Sequence, residues 1–293
     1  MLFRSASLLY SSSQAISLVV GFNYTWNKDE TETRATLGNV KSKAGDPKRK
    51  VTAAGDVKVE ASRGPRSSAT DRAMYRSYSV GITLNIANGN KLGVNLSYLG
   101  MFAYNTIDGG VTATLGAMDL TAQNLTVTAT DDSTIHAEAL GLGVALSGSA
   151  VGNTVTVGVI TQTAVNFETS WVQAIVQDST LAVTQTTSVV ATKNQSLEAD
   201  SEAIQIAASA AAKNAVSVQG VYTNIANNPD RREQQTDPAP TGTDLPSGAS
   251  AKVLRSQVTS GDISVVARAT PKYKTSILQV QGNVALEIGR AHV

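Results

Sequence analysis

Four stretches of the chain alternate apolar and polar residues with a period of two. In the first, Val57, Val59 and Ala61 alternate with Lys58 and Glu60. In the second, Leu125, Val127 and Ala129 alternate with Thr126 and Thr128. The third, "TQTTSVVATK" (Thr184 to Lys193), carries Val189 and Ala191, and the fourth carries Ile263, Val265 and Ala267. Period two with β-branched residues predicts a strand with one face packed and one face wet. Gly55-Asp56 and Gly261-Asp262 precede two of these strands, where a turn that needs positive φ is expected; Asn124 takes that place in the second copy and Thr186-Thr187 in the third.

The alanines that end the four copies, Ala61, Ala129, Ala191 and Ala267, are 68, 62 and 76 residues apart. The longest interval holds the proline-rich run Asn227 to Gly248, which has no apolar period and predicts a loop. Each copy has a preceding strand: Arg34 to Val40, Thr112 to Leu120, Val172 to Leu181 and Ala249 to Val258. A stretch of small apolar residues follows or stands nearby, at Tyr78 to Gly100, Leu140 to Ile160 and Ala203 to Ile225. Ser201 to Ala215 also fits a helix by its run of alanines, whereas its counterpart Leu140 to Gly152 is poor in helix formers. The repeat unit is thus roughly 60 residues, room for about three coils of ~20 residues.

A strand that buries only Val, Val and Ala cannot offset its own ordering entropy. Stacking such strands ~4.8 Å apart lets each cover the next. The expected fold is therefore all-β: a β-solenoid (parallel β-helix) of degenerate repeats, with polar insertions at about 41–76 and 227–248. Val, Ile, Leu and Ala would line its interior, and Thr, Ser, Asn, Gln and Lys would face water. A dozen coils would make a rod of ~60 Å. Tandem β-sandwiches compete, but Trp26 and Trp171 are too few and too far apart to anchor two such cores. An outer-membrane barrel needs aromatic girdles, and Tyr and Phe are sparse at 8 and 4 of 293 residues.

Net charge is +1, which argues against a nucleic-acid binder or a polybasic anchor. The charges are uneven. Cations crowd Lys28 to Arg76 (Arg63 among them), as expected of a solvated insertion or, alternatively, a phosphate or glycan patch, while Leu92 to Thr192 contains no Lys or Arg. Cysteine is absent, which removes disulfides and thiolate chemistry. The first residues are too rich in serine for a signal peptide core, and no run is long and apolar enough to span a bilayer, so the chain is expected not to be transmembrane itself. The start reads as an interior piece of a longer protein. Residues 287–293, "EIGRAHV", read as a translated sequencing adapter; with 1–286 taken as one solenoid fragment, further repeats are expected beyond it.

Candidate chemistry is thin. Alternation turns His136 outward with Thr134 and Glu138, as a solvated residue, and His292 falls in the adapter-like tail, so no histidine metal site or triad assembles. Asp131-Asp132 reads as a polar turn rather than a calcium site. Gly141 to Gly148 has no phosphate-binding lysine. Asn124-Leu125-Thr126 and Asn194-Gln195-Ser196 match the glycosylation sequon, a pattern that Asn- and Thr-rich sequences generate freely. No catalytic, cofactor-binding or metal residue is assigned, and no cofactor is expected.

With the repeats laid out, the chain resembles the large repetitive bacterial surface adhesins of the filamentous-haemagglutinin and leukotoxin type. The resemblance rests on Gly55 to Ala61, on Ile135, Ala137 and Ala139, and on Leu197, Ala199 and Ser201. It implies an exported, cell-surface or secreted rod; the expected role is structural and adhesive, not enzymatic, with a host-cell, matrix or glycan surface as partner and no nucleic acid. The alternative is a β-helix polysaccharide lyase or glycoside hydrolase, marked by charged side chains gathered in one groove.

Overall fold

A computed structural model of the protein describes residues 2–39, 48–64, 75–228 and 248–287, with the side chains of the first few excepted. Strands form all its regular structure, and no helix occurs among the described residues. The long strands β1 (Leu2–Ser11), β6 (Tyr75–Gly89), β11 (Thr134–Ser149), β16 (Ser196–Ala211) and β21 (Lys272–Glu287) form one sheet. A second sheet consists of β2 (Gln14–Asp29), β7 (Leu92–Ile107), β12 (Asn153–Glu168) and β17 (Ala215–Asn228).

Three sheets of short strands follow. The third holds β3 (Thr33–Gly38), β8 (Gly110–Gly116), β13 (Trp171–Gln177) and β18 (Gly248–Leu254); the fourth β4 (Arg49–Thr52), β9 (Met118–Ala122), β14 (Thr180–Val183) and β19 (Gln257–Thr259). The fifth holds β5 (Val57–Arg63), β10 (Leu125–Asp131), β15 (Thr186–Lys193) and β20 (Asp262–Ala269).

Every strand pair is parallel, and each strand pairs with the one five places along the chain. The anchor alanines fall in register: Ala61 beside Ala129, Ala129 beside Ala191, Ala191 beside Ala267. The same intervals recur in side-chain contacts between neighbouring layers, with Asn124 to Asp56 68 residues apart, Asn194 to Asp132 62 and Thr270 to Asn194 76. Stacking partners thus lie a whole interval apart, not ~20 residues, and four or five layers at ~4.8 Å give roughly 20 Å along the stack rather than 60.

The three short-strand sheets enclose one apolar core, in which Leu115, Leu120, Leu125, Val127, Val189 and Ala174 are buried. Here the expected alternation holds, with Val59 and Ala61 inside and Lys58 and Glu60 outside. Ser201 to Ala211 is strand, not helix, because its inward alanines lie flat against the facing sheet. The described parts of the 41–76 region, 48–64 and 75–76, hold β4, β5 and the start of β6 rather than a loop; 40–47, 65–74, 229–247 and the tail 288–293 lie outside the described residues.

The turns differ from expectation. Left-handed backbone occurs not at Gly55 or Gly261 but at Gly38, Gly64 and three non-glycines, Ala117 (φ 50), Asp178 (φ 51) and Arg255 (φ 47). These three stack at the corner between the third and fourth sheets, with Ala117 N–H donating to Gln177 O and Asp178 N–H to Leu254 O. A β-branched side chain is strongly disfavoured in that conformation. Ala117→Val is therefore expected to lower stability by about 2 kcal/mol or more in urea denaturation.

Candidate functional site

The two long sheets face each other with their polarity reversed. Strand β2 turns Ala15, Ser17, Gly21 and Asn23 inward and Ile16, Leu18, Val20, Phe22, Tyr24 and Trp26 outward. On β11, Ala137, Gly141, Gly143 and Ser147 face in, while Leu140, Leu142, Val144 and Leu146 face out. This corrects the expectation that the apolar residues of these stretches line the interior. The reason is steric. The sheets approach so closely that a Cβ on Gly158 would run into the Gln205 side chain of the facing sheet, and one on Gly81 would meet Leu99 at 2.8 Å. Small residues, and polar ones that bond across the gap, fill much of it, around a buried cluster that includes Leu99, Met101 and Ile160.

A ladder of asparagines runs through that gap. Asn27 donates to Asn105 (3.0 Å), Asn105 to Asn166 (2.8 Å) and Asn166 to Asn227 (2.8 Å). Each also donates across to the facing sheet, to the carbonyls of Arg76, His136, Glu198 and Lys274 respectively. Nearer the turns, Asn95 Nδ2 donates to Asn85 O and Leu146 O, and Ser147 pairs with Thr156. Such stacked amides satisfy one another layer by layer.

At the corner where the long sheets meet the short ones, a buried charge network closes the interior. Arg63, Asp131 and Lys193 end β5, β10 and β15 in one register column. Arg63 pairs with Asp131, and Lys193 Nζ donates to both Glu168 oxygens (2.9 and 3.0 Å) and to Ser170 O (2.7 Å). Gln195 bridges the two pairs, donating to Asp131 (2.8 Å) and Ser170 Oγ (2.9 Å). Burial works against the Arg63 guanidinium, but Asp131 outweighs it and holds its pKa above the ordinary value. Asp131 is thus a buried ion-pair member, not part of a solvated turn, and Arg63 does not belong to a solvated basic insertion.

Beside this corner, Tyr75 donates to Asp29 Oδ2. Burial, then the hydrogen bond to Asp29, pushes the Tyr75 hydroxyl up to about 12. Burial also opposes ionisation of Asp29, but hydrogen bonds from Thr31 and Tyr75 overcome it and keep the carboxyl below its usual range. A raised tyrosine pKa favours the folded state below pH 10, the ordinary tyrosine value, and that contribution is lost as pH rises towards 12. Absorbance titration at alkaline pH is expected to show one late tyrosine near 12 that disappears in Tyr75→Phe.

His136 does point outward, but it is not freely solvated. Its side chain is 16% exposed and its Nε2 lies 2.9 Å from Asp200 Oδ2. Potential ligand atoms of His136, Glu198 and Asp200 all lie within 4.8 Å of one another. Glu138, paired with Arg76 at 3.1 Å, and Glu202 stand on the same outer face. The set is a charged patch on one face of a sheet, brought together from β6, β11 and β16. Asn124 and Asn194, in the two sequon matches, donate to Asp56 and Asp132 of the neighbouring layer.

No family model matches the chain, and neither a curated protein nor a solved structure does. No described helix is long and apolar enough to cross a membrane.

Proposed function

We propose that the chain is a stretch of β-solenoid from a bacterial cell-surface or secreted repeat protein of the filamentous-haemagglutinin and leukotoxin-type adhesin class. It serves a structural and adhesive role, projecting weak contacts to a host-cell, matrix or glycan surface from a stiff support. The observation that supports this most is the in-register stacking of Ala61, Ala129, Ala191 and Ala267. Parallel layers of this kind extend at both ends by adding further copies, and they repeat the same outward side chains at each layer. Repetition turns a weak contact into a strong one only when many engage together. Beads carrying many copies of the chain should be retained on matrix- or glycan-coated surfaces that do not hold the single chain. Equal loss of beads and free chain would refute the adhesive role.

One observation favours the enzymatic alternative, a β-helix lyase or hydrolase. The outer face of β11 and β16 gathers His136, Glu138, Glu198 and Asp200, groups suited to acid–base work on a sugar polymer. Release of oligosaccharides from polygalacturonate or alginate, abolished in Asp200→Asn, would replace the adhesive reading with this one.

A further inference from the structure

The reversed polarity of the long sheets needs an occupant on both outer faces. Hydrophobic side chains there remain in water: Leu18 is 66% exposed, Phe22 58%, Trp26 53% and Val218 50%. The opposite sheet does the same with Leu84, Leu142, Ile204 and Ile206. A single protein partner would explain one face, not two facing away from each other. Apolar residues turned outward on both sides are the pattern of strands surrounded by hydrocarbon.

The residues are also ordered by depth. At the end joined to the short sheets, one long sheet carries the charges of Arg76, His136, Glu138 and Asp200 outward. The other sheet carries Trp26 and Tyr104, neighbours in register, at the same level, since Asn105 beside Tyr104 bonds to His136 O. Beyond them the outward positions are largely apolar, Val80 to Ile86, Leu140 to Leu146 and Ile16 to Val20, apart from Glu202 beside Leu140. The far turns are polar again, with Lys91 and Lys213 as their charged residues among those described. Amphipathic aromatics beside charges, then an aliphatic band, then polar turns, follow the layering of a bilayer from head group to hydrocarbon to head group. From Ile16 to Trp26 an extended strand covers roughly 33 Å at ~3.3 Å per residue, near the ~30 Å of a hydrocarbon core.

We infer that the paired long sheets insert, turns first, into a lipid bilayer, with their outer faces in the acyl chains and Lys91 and Lys213 reaching the far head groups. This goes beyond the adhesive role and does not depend on it. Hydrocarbon does not tolerate unpaired backbone groups, so every strand edge inserted there must be covered by a further layer or by another chain.

The test is flotation of the 293-residue chain with phosphatidylcholine vesicles. The chain should rise with the vesicles, and lipids brominated on the acyl chains should quench its tryptophan fluorescence. Trp26→Phe should remove most of the quenching, because Trp171, against Gly110 in the short-strand part, lies away from the lipid. Leu142→Lys and Leu96→Lys, at exposed positions, should each reduce vesicle binding at least tenfold with an unchanged circular dichroism spectrum. Three results would overturn the inference: no flotation of folded chain, flotation unaffected by both lysine variants, or a lipid-free oligomer that the lysine variants dissolve, which would assign the faces to a second copy.

Discussion

Lys193→Met is expected to lower folding stability by about 3–5 kcal/mol, the range for breaking a buried ion pair from one side. Lys193 is 3% exposed and Glu168 2%. With the ammonium gone, Glu168 keeps only Ser170 as a partner, donating through N–H at 2.6 Å and through its hydroxyl. A carboxylate that cannot reach water then has too few donors to stay charged cheaply, and the Ser170 carbonyl loses its donor as well. Removing the charge on both sides should repair most of this, because no buried charge is then left uncompensated. Lys193→Met/Glu168→Gln is therefore expected to recover at least half of the loss. Urea denaturation with an unchanged m value reads both variants; a single-variant loss below about 1 kcal/mol would mean that water reaches the pair.

Sequence alternation located the short strands well, and the reason is local. In β5 and β10 the inward residue is the more apolar one at nearly every step, so hydropathy and geometry agree, whereas in β20 Ile263 and Val265 are exposed. The longer strands break that agreement. Between them glycines and alanines make close contacts while Leu99, Met101 and Ile160 fill the remaining space, so hydropathy alone does not decide which face turns in. Leu140, Leu142 and Val144 read as core by hydropathy, but Gly141 and Gly143 are what the gap admits. The corner within Thr112 to Leu120 was hidden too, since Ala117 adopts left-handed backbone without a glycine to announce it.

The buried charges were illegible for a different reason. Arg63, Asp131 and Lys193 meet only once the register is known, and Glu168 reaches Lys193 from another sheet. A basic stretch and an Asp-Asp pair look solvated when read along the chain. The asparagine ladder did leave a signal. Asn105, Asn166 and Asn227 recur at 61-residue intervals, so a search for polar residues at the repeat spacing would have found them.

Asn166→Leu is expected to destabilise the fold by about 2–4 kcal/mol, although it places a hydrophobe of similar size in a buried site. Asn166 is fully buried, accepts from Asn105, and donates to Glu198 O at 2.6 Å and to Asn227 at 2.8 Å. Leucine can do none of these. Asn227 Oδ1 loses its donor, Asn105 loses one acceptor, and each buried polar atom so stranded costs about 1–3 kcal/mol. The branched side chain must also fit a gap shaped for a flat amide. The reverse exchange on the outer face, Leu142→Asn, should shift stability in water by less than about 1 kcal/mol, because Leu142 is already 36% exposed. In an ordinary core the polar substitution would be the damaging one. Here the order is inverted, and the pair of denaturation curves distinguishes a buried polar ladder beneath two hydrophobic outer faces from a conventional apolar site.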